Sequence, residues 1–289
     1  MVRLLLSAFF LSAALLAGQT YDFNNPKLIG EMPAQLDEIS GLSIDPNRRH
    51  ELLAVQDEEG KVYRLNARNG TLLGAVTFWK DGDYEGIEVV GPDVWVVKNT
   101  GTLYRVRNVG TPEQTVDKFN TELTGENDVE GLSYDPSRNR LLLACKRDAK
   151  DDGNDKDGRY IYAFDLATEK LSERPVYAIA REAVRNYLTA CTRTSHHEKL
   201  AEFFDRDGFD LAPSALAVHP TTGRLYLTSS VGKVLMVLDP DGKITHLERL
   251  DKEKFQQPEG LAFAADGTLY VSTERKKDRP ARVWAVSVR

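Results

Sequence analysis

The sequence is poor in the residues that most often carry chemistry. Cys145 and Cys191 are the only cysteines in 289 residues. Two are too few for a structural zinc cluster, and they leave open either one disulfide or two buried thiols. Among the five histidines, His196 and His197 are adjacent in a helix-like stretch. Successive helical residues diverge by about 100°, so the pair reads as surface and not as a shared metal ligand. No Gly-x-Ser-x-Gly elbow, His-Glu-x-x-His pair or phosphate-binding glycine loop occurs, which removes the commonest hydrolase and nucleotide signatures. Cys145 lies in a strand-like run with no histidine to activate it, which argues against a catalytic thiol. Basic charge is also short: 38 Lys and Arg stand against 44 Asp and Glu, for a net charge of -6. That excludes nucleic acid as a partner and suits a cation binder or a soluble envelope protein.

Long apolar runs are absent except at the start. After Met1-Val2-Arg3, the stretch Leu4 to Ala17 is broken only by Ser7 and Ser12, and Ala17-Gly18 follows. Its 14 residues fall short of the roughly 20 that cross a bilayer. Residues 1–18 therefore read as a secretory signal peptide, with 19–289 as a single exported domain of the periplasm or cell envelope. Association with the plasma membrane follows only if the segment is retained as an anchor.

What the sequence does have is a repeat. Five segments share a pattern: Glu38-Ile-Ser-Gly-Leu-Ser-Ile-Asp45, Asp83-Tyr-Glu-Gly-Ile-Glu-Val-Val90, Asp128-Val-Glu-Gly-Leu-Ser-Tyr-Asp135, Ala212-Pro-Ser-Ala-Leu-Ala-Val-His219 and Gln257-Pro-Glu-Gly-Leu-Ala-Phe-Ala264. The small residues Gly41, Gly86, Gly131, Ala215 and Gly260 set the register, at intervals of 45, 45, 84 and 45. Each segment leads through a Pro, Asn, Asp or Gly turn to further short apolar runs. Four short strands per unit of this length is the period of a propeller blade, so an all-β, five-bladed β-propeller is expected, the long interval leaving room for a sixth blade. The last repeat stops after its third strand, and Lys27-Leu-Ile-Gly30 is expected to supply the fourth and close the ring. Within the long interval, apolar residues from Arg181 to Phe204 recur at helical spacing, which predicts a helical insertion over 178–210, between blades three and four.

The first two strands of a blade form a hairpin, so the start of the first and the end of the second share one mouth of the central funnel. Ser40, Glu85, Glu130, Ser214 and Glu259 occupy equivalent starts, while Asp57, Asn99 and Lys146 stand at strand ends. Carboxylates gathered by rotational symmetry repel, and they either raise each other's pKa or take up a cation. Glu85, Glu130 and Glu259 are the candidate metal ligands. Calcium suits such an oxygen set best, with Lys146 as an alternative internal counter-charge. The other reading is that these residues only stitch blades together through backbone hydrogen bonds. Asp37, Asp83 and Asp128 lie close enough to support or cap the site. The acidic loop from Asp148 to Gly158 does not match an EF-hand and reads as solvated.

The ordered series Ile39-Ser-Gly-Leu, Tyr84-Glu-Gly-Ile-Glu, Val129-Glu-Gly-Leu, Pro213-Ser-Ala-Leu and Pro258-Glu-Gly-Leu, together with Lys146, resembles the SdiA-regulated (YjiK/CarP-type) family over Lys27 to Arg289. The resemblance implies a five-bladed propeller, export to the envelope and a calcium site in the funnel, without an established reaction; the helical insertion is read as a departure from it. Two functions are carried forward. One is a calcium-binding envelope propeller with a binding or scaffold role, meeting a small anionic ligand through the cation or an envelope protein partner. The other is a calcium-dependent hydrolase of lactones or phosphoesters.

Overall fold

The computed structural model describes residues 21–48, 50–147, 157–191, 195–205 and 208–289, and the side chains of 195–197 are not among those described. The expected signal segment, most of the acidic loop and the two histidine side chains of 196 and 197 lie outside the described residues.

Alternating burial and turn-rich punctuation produce five antiparallel sheets. Blade one holds β2 (Ile39–Ile44), β3 (Glu51–Gln56), β4 (Lys61–Asn66) and β5 (Leu72–Thr77). Blade two holds β6 (Tyr84–Val90), β7 (Asp93–Lys98), β8 (Leu103–Arg107) and β9 (Thr115–Phe119). Blade three runs through β10 (Val129–Asp135), β11 (Arg140–Cys145), β12 (Gly158–Asp165) and β13 (Lys170–Leu171), and β14 (Tyr177–Ala180) also pairs with β12. Blade four holds β15 (Pro213–Val218), β16 (Leu225–Ser229), β17 (Val234–Leu238) and β18 (Ile244–Arg249). Blade five is built from β19 (Pro258–Phe263), β20 (Leu269–Thr273) and β21 (Arg282–Val286), with β1 (Lys27–Glu31) as its outer strand. The ring thus closes by pairing the first strand with the last, as the truncated fifth repeat predicts, and Tyr21 adds a bridge to Val288.

Among the described residues the long interval contains no sixth blade. It holds the outer part of blade three and two helices, α1 (Arg181–Ala190) and α2 (Ser195–Phe204). The helical insertion starts slightly later than its sequence suggests, because Tyr177–Ala180 alternates buried and exposed residues and joins the sheet. The apolar faces of the helices are used internally. Val184, Leu188, Leu200, Phe203 and Phe204 pack into one core with Leu216, Leu227 and Met236 of blade four. Both cysteines are free thiols, and burial pushes the Cys145 thiol up to about 12.

The core is divided among the seams between blades. Leu53, Val55 and Val62 of blade one, for example, pack against Tyr84, Ile87 and Val96 of blade two. At the axis the inner strands approach closely. A Cβ on Gly86 would stand 2.7 Å from Leu132 Cβ, and one on Gly260 would stand 2.7 Å from Leu42 Cβ and 3.0 Å from Leu42 N. The two 2.7 Å distances are shorter than real side chains tolerate, so glycine here is a requirement of the blade-to-blade distance. Gly260→Ala is expected to destabilise the fold by about 1–3 kcal/mol through overpacking. Gly125→Ala, at a position with open space around it, should change it by less than about 0.5 kcal/mol. Urea unfolding of both variants checks this, and equal effects would remove the packing argument.

Candidate functional site

One local irregularity positions the site. In every inner strand the pairing register skips a residue, between Ile39 and Gly41, Tyr84 and Gly86, Val129 and Gly131, Pro213 and Ala215, and Pro258 and Gly260. The five skipped residues are Ser40, Glu85, Glu130, Ser214 and Glu259. A bulge re-aims its extra side chain out of the regular alternation, so the fivefold arrangement collects these five around the axis.

They divide into two groups. Ser40 and Ser214 are buried, and each hydroxyl donates a 2.6 Å hydrogen bond to the next blade, at the carbonyls of Tyr84 and Pro258. These two act as seams. The three glutamates line the narrow centre of the tunnel, together with Ser40 and the ring glycines. Glu130 and Glu259 are only 8 % and 7 % exposed, which leaves little water to solvate their charge. Burial, then the charges of Glu130, Asp83 and Glu259, push the Glu85 carboxyl far up. Burial, then Glu130 and Glu274, does the same to Glu259. Glu130 is raised by burial against the pull of Lys146, whose Nζ donates to Glu130 Oε1 at 2.6 Å. Burial opposes the charge of Lys146, but Glu130 and Asp128 outweigh it and its pKa rises.

The strand ends join from the same side. Asp57 is pushed up to about 7 by burial and by Glu38, Asp83 and Glu58, and its Oδ1 is buried without a hydrogen-bond partner. Glu274, at the equivalent end in blade five, is pushed up to about 7 by burial, Asp57, Glu38 and Glu130. Asn99 does not reach the glutamates; its side-chain amide donates to Asp83. The supporting acids are spoken for: Arg275 pairs with Asp37 at 2.7 Å, and Arg147 pairs with Asp128 at 3.0 Å. Glu274 stands at the strand end equivalent to Asp57 of blade one and Lys146 of blade three, and that equivalence marks it in the sequence. Glu38 and Lys233 carry no such mark. Lys233 is placed near Glu259 by its turn, where burial lowers its pKa.

The mouth offers an excess of carboxylate oxygens, the donor type a hard cation takes, and a buried Asp57 oxygen without a hydrogen-bond partner. Among the described residues no three carboxylates, imidazoles or thiolates converge as a metal-binding group, and Glu130 holds the ammonium of Lys146 instead.

The model of the SdiA-regulated family matches residues 19–151 and 173–277, most of the chain. The chain belongs to the SdiA-regulated family. The second matched block runs across both helices, so the helical insertion is not what interrupts the match; the break, 152–172, falls on blade three. No curated protein matches this family member. Among solved structures it is similar to the soluble aldose sugar dehydrogenase of Escherichia coli in its apo form, at 14 % identity and a TM-score of 0.54, covering 92 % of this chain and 99 % of that one. It is also similar to the PQQ-bound aldose sugar dehydrogenase of Streptomyces coelicolor, at 13 % identity and a TM-score of 0.51, covering 92 % and 98 %. At these identities the likeness is one of fold alone.

The role of Lys146 is testable. Lys146→Met leaves Glu130 without its counter-charge. The expected loss at pH 8 is roughly 2–3 kcal/mol, below the usual cost of breaking a fully buried pair, because the lysine side chain is 32 % exposed. Without Lys146 its pull no longer opposes the upward push of burial on the Glu130 carboxyl, so the loss should shrink as pH falls from 8 to 5. Urea unfolding at the two pH values checks this; an equal loss at both would mean that packing, and not charge, is what Lys146 contributes.

Proposed function

We propose that this protein is an exported envelope propeller that binds a divalent cation, calcium by preference, at the acid mouth of its tunnel, and that it works as a binding or scaffold protein. The observation that carries the reading is the set of glutamates brought to the axis by the bulges and left short of positive charge. Glu85, Glu130 and Glu259 would hold the ion, with Asp57 and Glu274 at its edge, and Lys146 would have to share or release Glu130. Bound calcium would offer a small anionic ligand a positive centre inside an acidic wall. Export rests on the N-terminal apolar segment. Among the described residues no helix is long and apolar enough to cross a membrane.

Calcium titration by calorimetry on the purified protein tests the site. A single site is expected, weakened about tenfold or more by Glu85→Gln and by Glu130→Gln, since each removes one ligand charge. Absence of binding by folded protein would leave the acid ring structural. Turnover of a lactone or phosphoester that requires calcium would convert the binding reading into the hydrolase one.

A pH dependence follows as well. Asp57 and Glu274 titrate near 7 in the folded protein, against 3.8 and 4.5 without the fold. The folded state therefore holds protons that the unfolded state has lost. Their favourable contribution is complete below the unfolded values and disappears as pH rises through about 7. In chelator the melting temperature should fall from pH 5 to pH 8, and calcium should restore it at pH 8. His219, buried and with its pKa lowered by that burial, works the other way below its unfolded value, one group against several. A melting temperature that rises over this range would show that the acid ring does not govern stability.

A further inference from the structure

The tunnel is closed midway. Two places after each bulge stand Leu42, Ile87, Leu132, Leu216 and Leu261, and the space they leave with the ring glycines and glutamates is about 10 Å³, the volume of a single water. Beyond this constriction, at the opposite end from the acid mouth, lies a cavity of about 730 Å³, within the range of small-molecule sites. Three places after the bulges, Ser43, Glu88, Ser133, Ala217 and Ala262 line it. A plug of the tunnel would be served by the same small residue in each blade. Here, instead, blades one to three present oxygens and blades four and five present methyl groups, so a symmetric frame makes a cavity with one polar and one apolar wall.

Glu88 carries the charge of the polar wall. Its Oε1 accepts from Ser43 Oγ at 2.8 Å and from Val89 N at 3.0 Å, and its Oε2 accepts from Tyr134 N at 3.1 Å. Burial pushes its pKa up, and these donors with Ser133 pull it back. All four donors are neutral. They fix the carboxylate in place without supplying a counter-charge. Asp45 and Asp266 add acid to the lining, and among the described lining residues the one basic side chain is His50, whose Nε2 lies 2.6 Å from Arg68 Nη2; Arg48 reaches Asp45 at 3.5 Å but does not line the cavity.

We propose that this second mouth binds a small organic cation, a primary amine with a hydrocarbon body. The ammonium sits against Glu88, and the hydrocarbon lies on Ala217, Val218 and Ala262. An anion is disfavoured by three carboxylates, and a bare metal ion gains nothing from the apolar wall. The constriction separates this site from the acid mouth, so the proposal stands or falls apart from the calcium reading.

Hexylammonium, hexanol and hexanoate are titrated into the protein by calorimetry at pH 7.5 with chelator present. One molecule of hexylammonium should bind per chain, roughly tenfold tighter than hexanol, the size of one charge-assisted hydrogen bond, and hexanoate should not bind. Glu88→Gln, with its fold checked by circular dichroism, should bring the amine down to the level of the alcohol. Should Glu88→Gln fail to fold, Ala262→Leu fills the cavity without touching the carboxylate and should weaken amine and alcohol alike. Glu85→Gln, at the other mouth, should leave amine binding unchanged. Absence of amine binding by wild-type protein, equal affinity for amine and alcohol, or loss of amine binding in Glu85→Gln would each overturn the proposal.

Discussion

The inner strands lie so close to one another that four of the five have glycine where a side chain would otherwise stand. Much else depends on this spacing. It brings neighbouring backbones near enough for Ser40 and Ser214 to bond the next blade's carbonyls, and it leaves room for almost nothing at the axis. With the centre that narrow, the bulge next to each glycine has one outlet for its extra residue, toward the tunnel. Blade four has Ala215 in place of glycine and serine in place of glutamate, so the one blade with a larger ring residue also withholds a charge from the centre.

That geometry concentrates like charge where water is scarce. Placing Glu85, Glu130 and Glu259 around one axis costs free energy in desolvation and in repulsion, and the chain returns only part of it through Lys146. A structure that tolerates such a cluster without function would be expected to neutralise it fully, as it does for buried Asp135 at the end of β10, with Arg140 at 3.0 Å. The second mouth repeats the theme in a milder form: Glu88 is satisfied in hydrogen bonds but not in charge. The two ends of the tunnel therefore differ in kind. One is crowded with acids, and the other has one fixed carboxylate facing alanines.

Much of this was legible in the sequence, for physical reasons. The blades could be counted because each repeats the same turn chemistry and the same small residue at the axis, and the closing strand could be named because the fifth repeat lacked its own. The glutamate ring could be placed because rotational symmetry makes equivalent positions neighbours. The serines at equivalent positions could not be told from ligands, since a hydroxyl serves as seam or as ligand and only its hydrogen-bond partner decides. Asn99 pairs with Asp83 for the same reason: short polar side chains find the nearest partner. Glu88 carries no mark in the repeat, since it sits three residues beyond the bulge, where the alternation returns the chain to the axis at the other end. The predicted helical span takes in Ala178–Ala180 of β14 because so short a strand is too brief to separate one period from another.

The strand that completes blade five comes from the other end of the chain, with Arg282 bonding Glu31 at 2.8 Å across 251 positions of sequence. No part of β1 can reach its place until β21 exists. During synthesis the residues around Lys27–Glu31 wait, unpaired, while four blades and most of a fifth are made, and contacts of such long sequence separation are the slowest to form. Ring closure of this kind turns the order in which the chain becomes available into part of its folding problem.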